Sequence, residues 1–189
     1  MIPRQLTVAA LSLWLAGCGH TPKGPASPAE REAASARARE AVEKLRTGLG
    51  RELAAALKKG GPPAAIAVCA ERAPAIAAEL GDPTLRIGRT SHKLRNPRNA
   101  PPSWVAPLLA EYEKNPALTA SERLIGPGRI GYLEPIRTAA PCLACHGQAL
   151  DASVEEALAK RYPNDRATGF AAGDLRGLFW VEVDLPRRR

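Results

Sequence analysis

Cys142-Leu143-Ala144-Cys145-His146 forms a C-x-x-C-H pentapeptide, the sequence that attaches a c-type haem. Two thiols spaced three apart can each bond one vinyl-derived carbon of a porphyrin, and the adjacent imidazole can ligate the iron. The pentapeptide implies a domain built around a flat, mostly apolar cofactor. The rest of the chain then has to supply its walls, and the identity of the iron's other ligand bears on what the protein does.

The N-terminus points to export by an independent route. Arg4 precedes an apolar run, residues 6–15, that is too short to span a membrane as a helix. Leu15-Ala16-Gly17-Cys18 has the form of a bacterial lipoprotein cleavage box, so residues 1–17 read as a signal peptide and Cys18 as the lipidated N-terminus of the mature chain. Covalent haem attachment in bacteria takes place outside the cytoplasm, and both motifs thus agree on one compartment. The expected location is the periplasmic face of a bacterial membrane. Gly19, rather than aspartate, after the lipidated cysteine favours the outer membrane.

The 189 residues carry 27 Lys and Arg against 19 Asp and Glu, a net charge of +8. Less the leader, this is one domain of ordinary size, large enough to surround a porphyrin edge. Outside the cytoplasm the basic balance does not mean nucleic acid. It suits haem propionates, anionic headgroups or an acidic redox partner, while the Arg187-Arg188-Arg189 tail reads as solvated surface.

Residues 18–27 read as a tether, and residues 28–189 as the haem domain. Ser27-Pro28-Ala29-Glu30 is a helix start with a capping box and proline in the first turn. Val42, Leu45, Leu49 and Leu53 recur at steps of three and four, giving an amphipathic helix over 28–59 with a bend expected at Gly48 or Gly50 and an end at Gly60-Gly61-Pro62. A second helix over 63–80 places Ile66, Cys69, Ala73, Ile76 and Leu80 on one stripe. Pro74 is expected to kink it, because it lacks an amide proton and crowds the carbonyl of Ala70. Beyond Gly81 the pattern changes to a strand at 85–87, a proline-rich loop at 96–102, a short helix at 104–112, hairpin arms at 124–125 and 129–136, and a strand at 178–185 with Phe179, Val181, Val183 and Leu185 on one face. The layout is α+β, with N-terminal helices packed on a small antiparallel sheet.

The mature chain has no methionine, since Met1 leaves with the leader, and this excludes Met/His ligation. Cys69, His92 and His20 remain as candidate partners of the iron, beside a position open to water or a gas. His20 lies in the tether, and His92 lies between Ser91 and Lys93, where a solvent-facing or propionate-bonding role fits better. Two other classes compete for the cysteines. One is a structural Cys3His zinc site from Cys69, Cys142, Cys145 and His146; the other is a redox dithiol at Cys142 and Cys145, which lacks a surrounding βαβ pattern.

Five segments together resemble a known family. They are Ala67-Val68-Cys69 followed by Ala73-Pro74; Arg89-Thr90-Ser91 with Arg95-Asn96-Pro97 and Asn99; Tyr132 to Ile136; Cys142 to Gly147; and Tyr162-Pro163 through Gly173-Asp174-Leu175-Arg176-Gly177. The family comprises exported proteins with one c-type haem on a PAS-like fold, long catalogued as a domain of unknown function and also found as the sensing module of some histidine kinases. The resemblance implies that the iron sits between His146 and a distal cysteine matched by Cys69, and that the fold is a PAS-like sheet flanked by helices. Arg89, Arg95 and Arg98 are fitting partners for the propionates, because guanidinium forks match carboxylates.

The functional expectation is a lipid-anchored haem protein that senses redox state or a small gas, with a monohaem electron carrier as the alternative. No nucleophile and base pair, no paired carboxylates and no phosphate-binding loop point to an enzyme. The expected partners are the membrane, through the lipid on Cys18, and an unidentified redox or signalling protein.

Overall fold

The structure is a computed structural model that describes residues 26–186. The expected leader, Cys18, His20 and the arginine tail lie outside the described residues.

Helix α1 (Pro28–Leu80) begins at the Ser27 cap that the sequence announces. The Ser27 hydroxyl accepts from the Glu30 amide at 3.2 Å, while the Ser27 amide donates to the Glu30 carboxylate at 2.6 Å. Two of the amides that a helix start leaves orphaned are satisfied this way. The helix is interrupted at Gly60 and at Gly61, where φ of +65° suits only a residue without Cβ. The chain reverses there, so that Arg72 pairs with Glu52 at 3.4 Å and a Cβ on Gly48 would lie 3.3 Å from Ile76. The two limbs form an antiparallel helical hairpin.

Two expectations for α1 need correction. Helical geometry continues through Pro74, and Gly60 and Gly61 are the non-helical positions within the helix. Pro74 forfeits its own hydrogen bond, but buried Ala73 and Ile76 anchor the turn on either side of it. No break falls at Gly48 or Gly50 either. Gly48 lies where the returning limb crosses closely, which is a packing role.

Four strands follow: β1 (Leu85–Thr90), β2 (Ser121–Gly126), β3 (Arg129–Arg137) and β4 (Leu175–Asp184), with helices α2 (Ala106–Lys114), α3 (Leu143–His146) and α4 (Ala152–Arg161) between them. They form one antiparallel sheet in the order β1-β4-β3-β2. The expected α+β class, with helices packed on a small antiparallel sheet, is the class found.

Strand β4 lies between two partners and is buried on both faces. Phe179, Val181 and Val183 meet Ala38, Val42, Leu45 and Ile76 of α1. The alanines let the helix lie close to the sheet, which concentrates dispersion contacts. Leu178 on the opposite face meets Leu108, Leu109 and Tyr112 of α2. A charge interrupts this second face: Glu182, 6% exposed, accepts from Trp104 Nε1 at 2.8 Å and pairs with Arg86 and Arg129. Helix α4 was not anticipated from the sequence. Its Val154 and Leu158 pack with Tyr162 against Ile66 of α1.

Gly177 allows β1 to approach β4. A Cβ there would lie 2.1 Å from the carbonyl oxygen of Thr90, a contact that only backbone movement relieves. Gly177→Ala is expected to lower unfolding stability by about 1–3 kcal/mol, the usual range for overpacking, as a reduced denaturant midpoint at unchanged slope.

Candidate cofactor site

A cavity of about 380 Å3 opens between the α1 hairpin, the β1 and β4 strands and the C-x-x-C-H turn. Its size falls within the roughly 300–1,000 Å3 of cofactor sites. Cys69, Cys142, Cys145 and His146 all line it, as do Arg89 and Arg95. Four separate parts of the sequence meet at one wall.

The thiols stand on a compact turn. A short 3-10 segment (Ala140–Cys142) runs directly into α3, which ends at His146 where the Gly147 amide donates to the Leu143 carbonyl at 2.8 Å. The following chain doubles back along this turn, with the Phe170 amide donating to the His146 carbonyl at 2.9 Å and the Gly169 amide to the Gly147 carbonyl at 2.8 Å. Burial pushes the Cys145 thiol up, against the opposing pull of Arg95. All three described cysteines are free thiols.

His146 has the electronic form a metal ligand needs. Burial, reinforced by the charges of Arg176 and Arg95, pushes its imidazole down to about 3, so the ring is neutral near pH 7. Its Nδ1 lies 2.7 Å from the Ala167 carbonyl oxygen. A carbonyl can only accept, so Nδ1 carries the proton and Nε2 keeps its lone pair for the metal.

Arg95 proves to be a structural cation. Its guanidinium pairs with Asp165 at 3.0 Å, both side chains being about nine-tenths buried. It also donates to the carbonyls of Cys145 at 2.5 Å and Ala167 at 3.3 Å. Arg95 thus holds the turn and the loop segment that orients His146, with Asp165 as its counterion. Arg89 lines the cavity half-buried, without an ion-pair partner among the described residues. Arg98 is exposed and lines a smaller neighbouring pocket.

His92 does not reach the cavity. Its Nε2 lies 3.5 Å from Glu113, and its ring meets Phe170 edge-on at 5.8 Å, with Phe170 between it and His146. Burial lowers its pKa, and its Nδ1 has no hydrogen-bond partner. The zinc alternative fares no better. Among the described residues no three His, Cys, Asp or Glu side chains are gathered closely enough to hold one metal ion.

The residues suit a porphyrin better than a bare ion. Cys69 and Cys145 line the same cavity, and the buried Thr90 hydroxyl on its wall lacks a partner. Leu53 and Leu57 line the cavity yet are 36% and 40% exposed. Large aliphatic side chains left open at a cavity rim are what a flat apolar ring would cover. Arg176, which sequence reasoning passed over as a site residue, also lines the wall.

A family model, described as Tll0287-like, matches residues 27–184. The chain belongs to the Tll0287-like family. The crystal structure of the cyanobacterial haem-protein Tll0287 superposes on it with a TM-score of 0.59 at 28% identity, covering 87% of this chain and all of that one. No curated protein matches. That cyanobacterial relative is described as a haem protein.

Arg95→Met is expected to remove about 3–5 kcal/mol of stability, because it strands the buried Asp165 carboxylate. Chemical denaturation measures this. The double substitution with Asp165→Asn should recover a substantial part, the signature of a coupled pair.

Proposed function

We propose that this chain is an exported, lipid-anchored protein that holds one covalent c-type haem between His146 and Cys69 and senses redox state or a small gas, without turning over a substrate. The observation that carries the reading is that Cys69, Cys142, Cys145 and His146 line one cavity. Family membership and a solved haem-protein relative support the cofactor class.

Each residue then has a defined part. Cys142 and Cys145 would hold a haem covalently, each S–H bond adding across one vinyl group, which would need no net oxidant. His146, with Nδ1–H held by Ala167, would offer Nε2 to the iron. Cys69 would offer a thiolate, whose negative charge would favour ferric over ferrous iron. Bound haem supplies one-electron chemistry and a coordination position that can bind a small ligand. Protonation or release of Cys69 on reduction would free that position and couple ligand binding to redox state.

An electron carrier is the second reading, favoured by the exposed rim at Leu53 and Leu57, which would bring a porphyrin edge near a partner's surface. The two readings differ in one observable, since a sensor of this design changes its ligation on reduction and a carrier keeps it. Anchoring is assigned to lipid on Cys18. Among the described residues no helix is long and apolar enough to cross a membrane.

Protein matured with a competent haem-attachment system should retain its haem through denaturation and organic extraction, and should show a low-spin ferric spectrum with thiolate features. Cys69→Ala should lose those features, and Cys142→Ala with Cys145→Ala should lose covalent retention. A colourless product, or a ferric spectrum indifferent to Cys69, would overturn the assignment. Cys18→Ser should move the protein from the membrane fraction to the soluble one, as read by fractionation.

A further inference from the structure

Among the described residues four arginines line the cavity, Arg46, Arg89, Arg95 and Arg176, and no aspartate or glutamate does. Two of them already have counterions. Arg46 pairs with Glu43 at 2.5 Å and with Glu134, and Arg95 pairs with Asp165. The guanidinium groups of Arg89 and Arg176 have neither an ion pair nor a hydrogen bond among the described residues.

Arg176 is the more constrained of these two. Burial, then the neighbouring charges of Arg95 and Arg89, pushes its guanidinium down to about 10. A cation withdrawn from water and surrounded by other cations is costly unless an anion joins it. Its location is nevertheless fixed. The guanidinium lies over the Phe170 ring at 5.4 Å, and the backbone carbonyl of Arg176 accepts from the Ser91 hydroxyl at 2.7 Å. Phe170 packs edge-on against His146 at 6.2 Å, which puts Arg176 at the His146 end of the cavity. On the neighbouring β1 strand the Thr90 hydroxyl is buried without a partner. An unpaired cation and an orphaned hydroxyl on one wall both call for an acceptor.

We propose that Arg176 is the cation that receives a carboxylate of the cofactor, a haem propionate, with the Thr90 hydroxyl as a second donor, and that its charge raises the reduction potential against the pull of the Cys69 thiolate. This inference rests on the haem reading given above. Reduction adds one negative charge to the cofactor, and a fixed cation in a water-poor cavity stabilises that charge more than solvent-screened surface groups do. The thiolate and Arg176 therefore act on the potential in opposite directions. Arg95, whose charge Asp165 partly offsets, acts in the same direction as Arg176.

The test is the midpoint potential and haem content of the full-length holoprotein for wild type, Arg176→Gln, Arg176→Met and Arg176→Lys. Both neutral variants should keep the wild-type ferric ligation and show a lower potential, by up to about 59 mV, the one-electron equivalent of a tenfold change. Arg176→Lys should restore most of the loss. Neutral variants that fail to load haem while Arg176→Lys loads it would also support a carboxylate seat that depends on charge. Neutral variants at the wild-type potential would overturn the proposal, as would a lysine variant that neither loads haem nor restores the potential. Wild-type protein without haem would instead overturn the reading on which the proposal rests.

Discussion

The buried pair of Arg95 and Asp165 is the constraint on which the site depends. Arg95 comes from the loop after β1, and Asp165 from the segment after α4. From this one pair, hydrogen bonds run to the Cys145 and Ala167 carbonyls, while Asp165 also accepts from the Ala167 amide at 2.8 Å. Ala167 in turn fixes the proton on His146. The C-x-x-C-H turn, only four helical residues long, has too few internal bonds to hold its own orientation. Its geometry is imposed by a distant ion pair. Such a pair gains little over an apolar replacement in stability; its contribution here is to fix one arrangement of carbonyls, and with it one tautomer.

The sheet and the helical hairpin divide the remaining work. Strands β1 and β4, paired from Leu85↔Val183 to Thr90↔Leu178, bring Arg89, Thr90 and Phe179 to one end of the sheet, where the cavity begins. The hairpin supplies aliphatic Leu49, Leu53, Leu57 and Ile66 together with Cys69. Apart from Arg46, the charged groups come from the strands and loops, and most of the aliphatic groups come from the helix. A cofactor with an apolar ring and acidic side arms matches that division.

Local chemistry was legible in the sequence. The Ser27 cap, the Gly60-Gly61 reversal, the inward stripe of β4 and the thiol-imidazole pentapeptide each follow from a few adjacent residues. What escaped the reading depends on partners far along the chain. Helix α4 lacks a side-chain cap bond at Asp151, and its Val154 and Leu158 gain meaning only from Ile66, some ninety residues earlier. Pro74 signals a break, yet tertiary burial at Ala73 and Ile76 overrides it. Arg95 and Arg176 look alike in sequence, and only the direct ion pair that Asp165 makes with Arg95 separates a structural cation from one without an ion-pair partner among the described residues.

The sheet order also governs the sequence of assembly. β4 is the last strand in the chain, yet it lies between β1 and β3 and supplies both with their inner neighbour. Neither strand can complete its pairing until residues 175–184 are in place, and closure between β1 and β4 spans nearly a hundred residues, which makes it a slow, late event. The helical hairpin, whose contacts are local, can form well before that. The pentapeptide at 142–146 lies upstream of the closing strand, so its two thiols are presented on a chain whose sheet is still open. Those thiols are therefore accessible before the sheet closes.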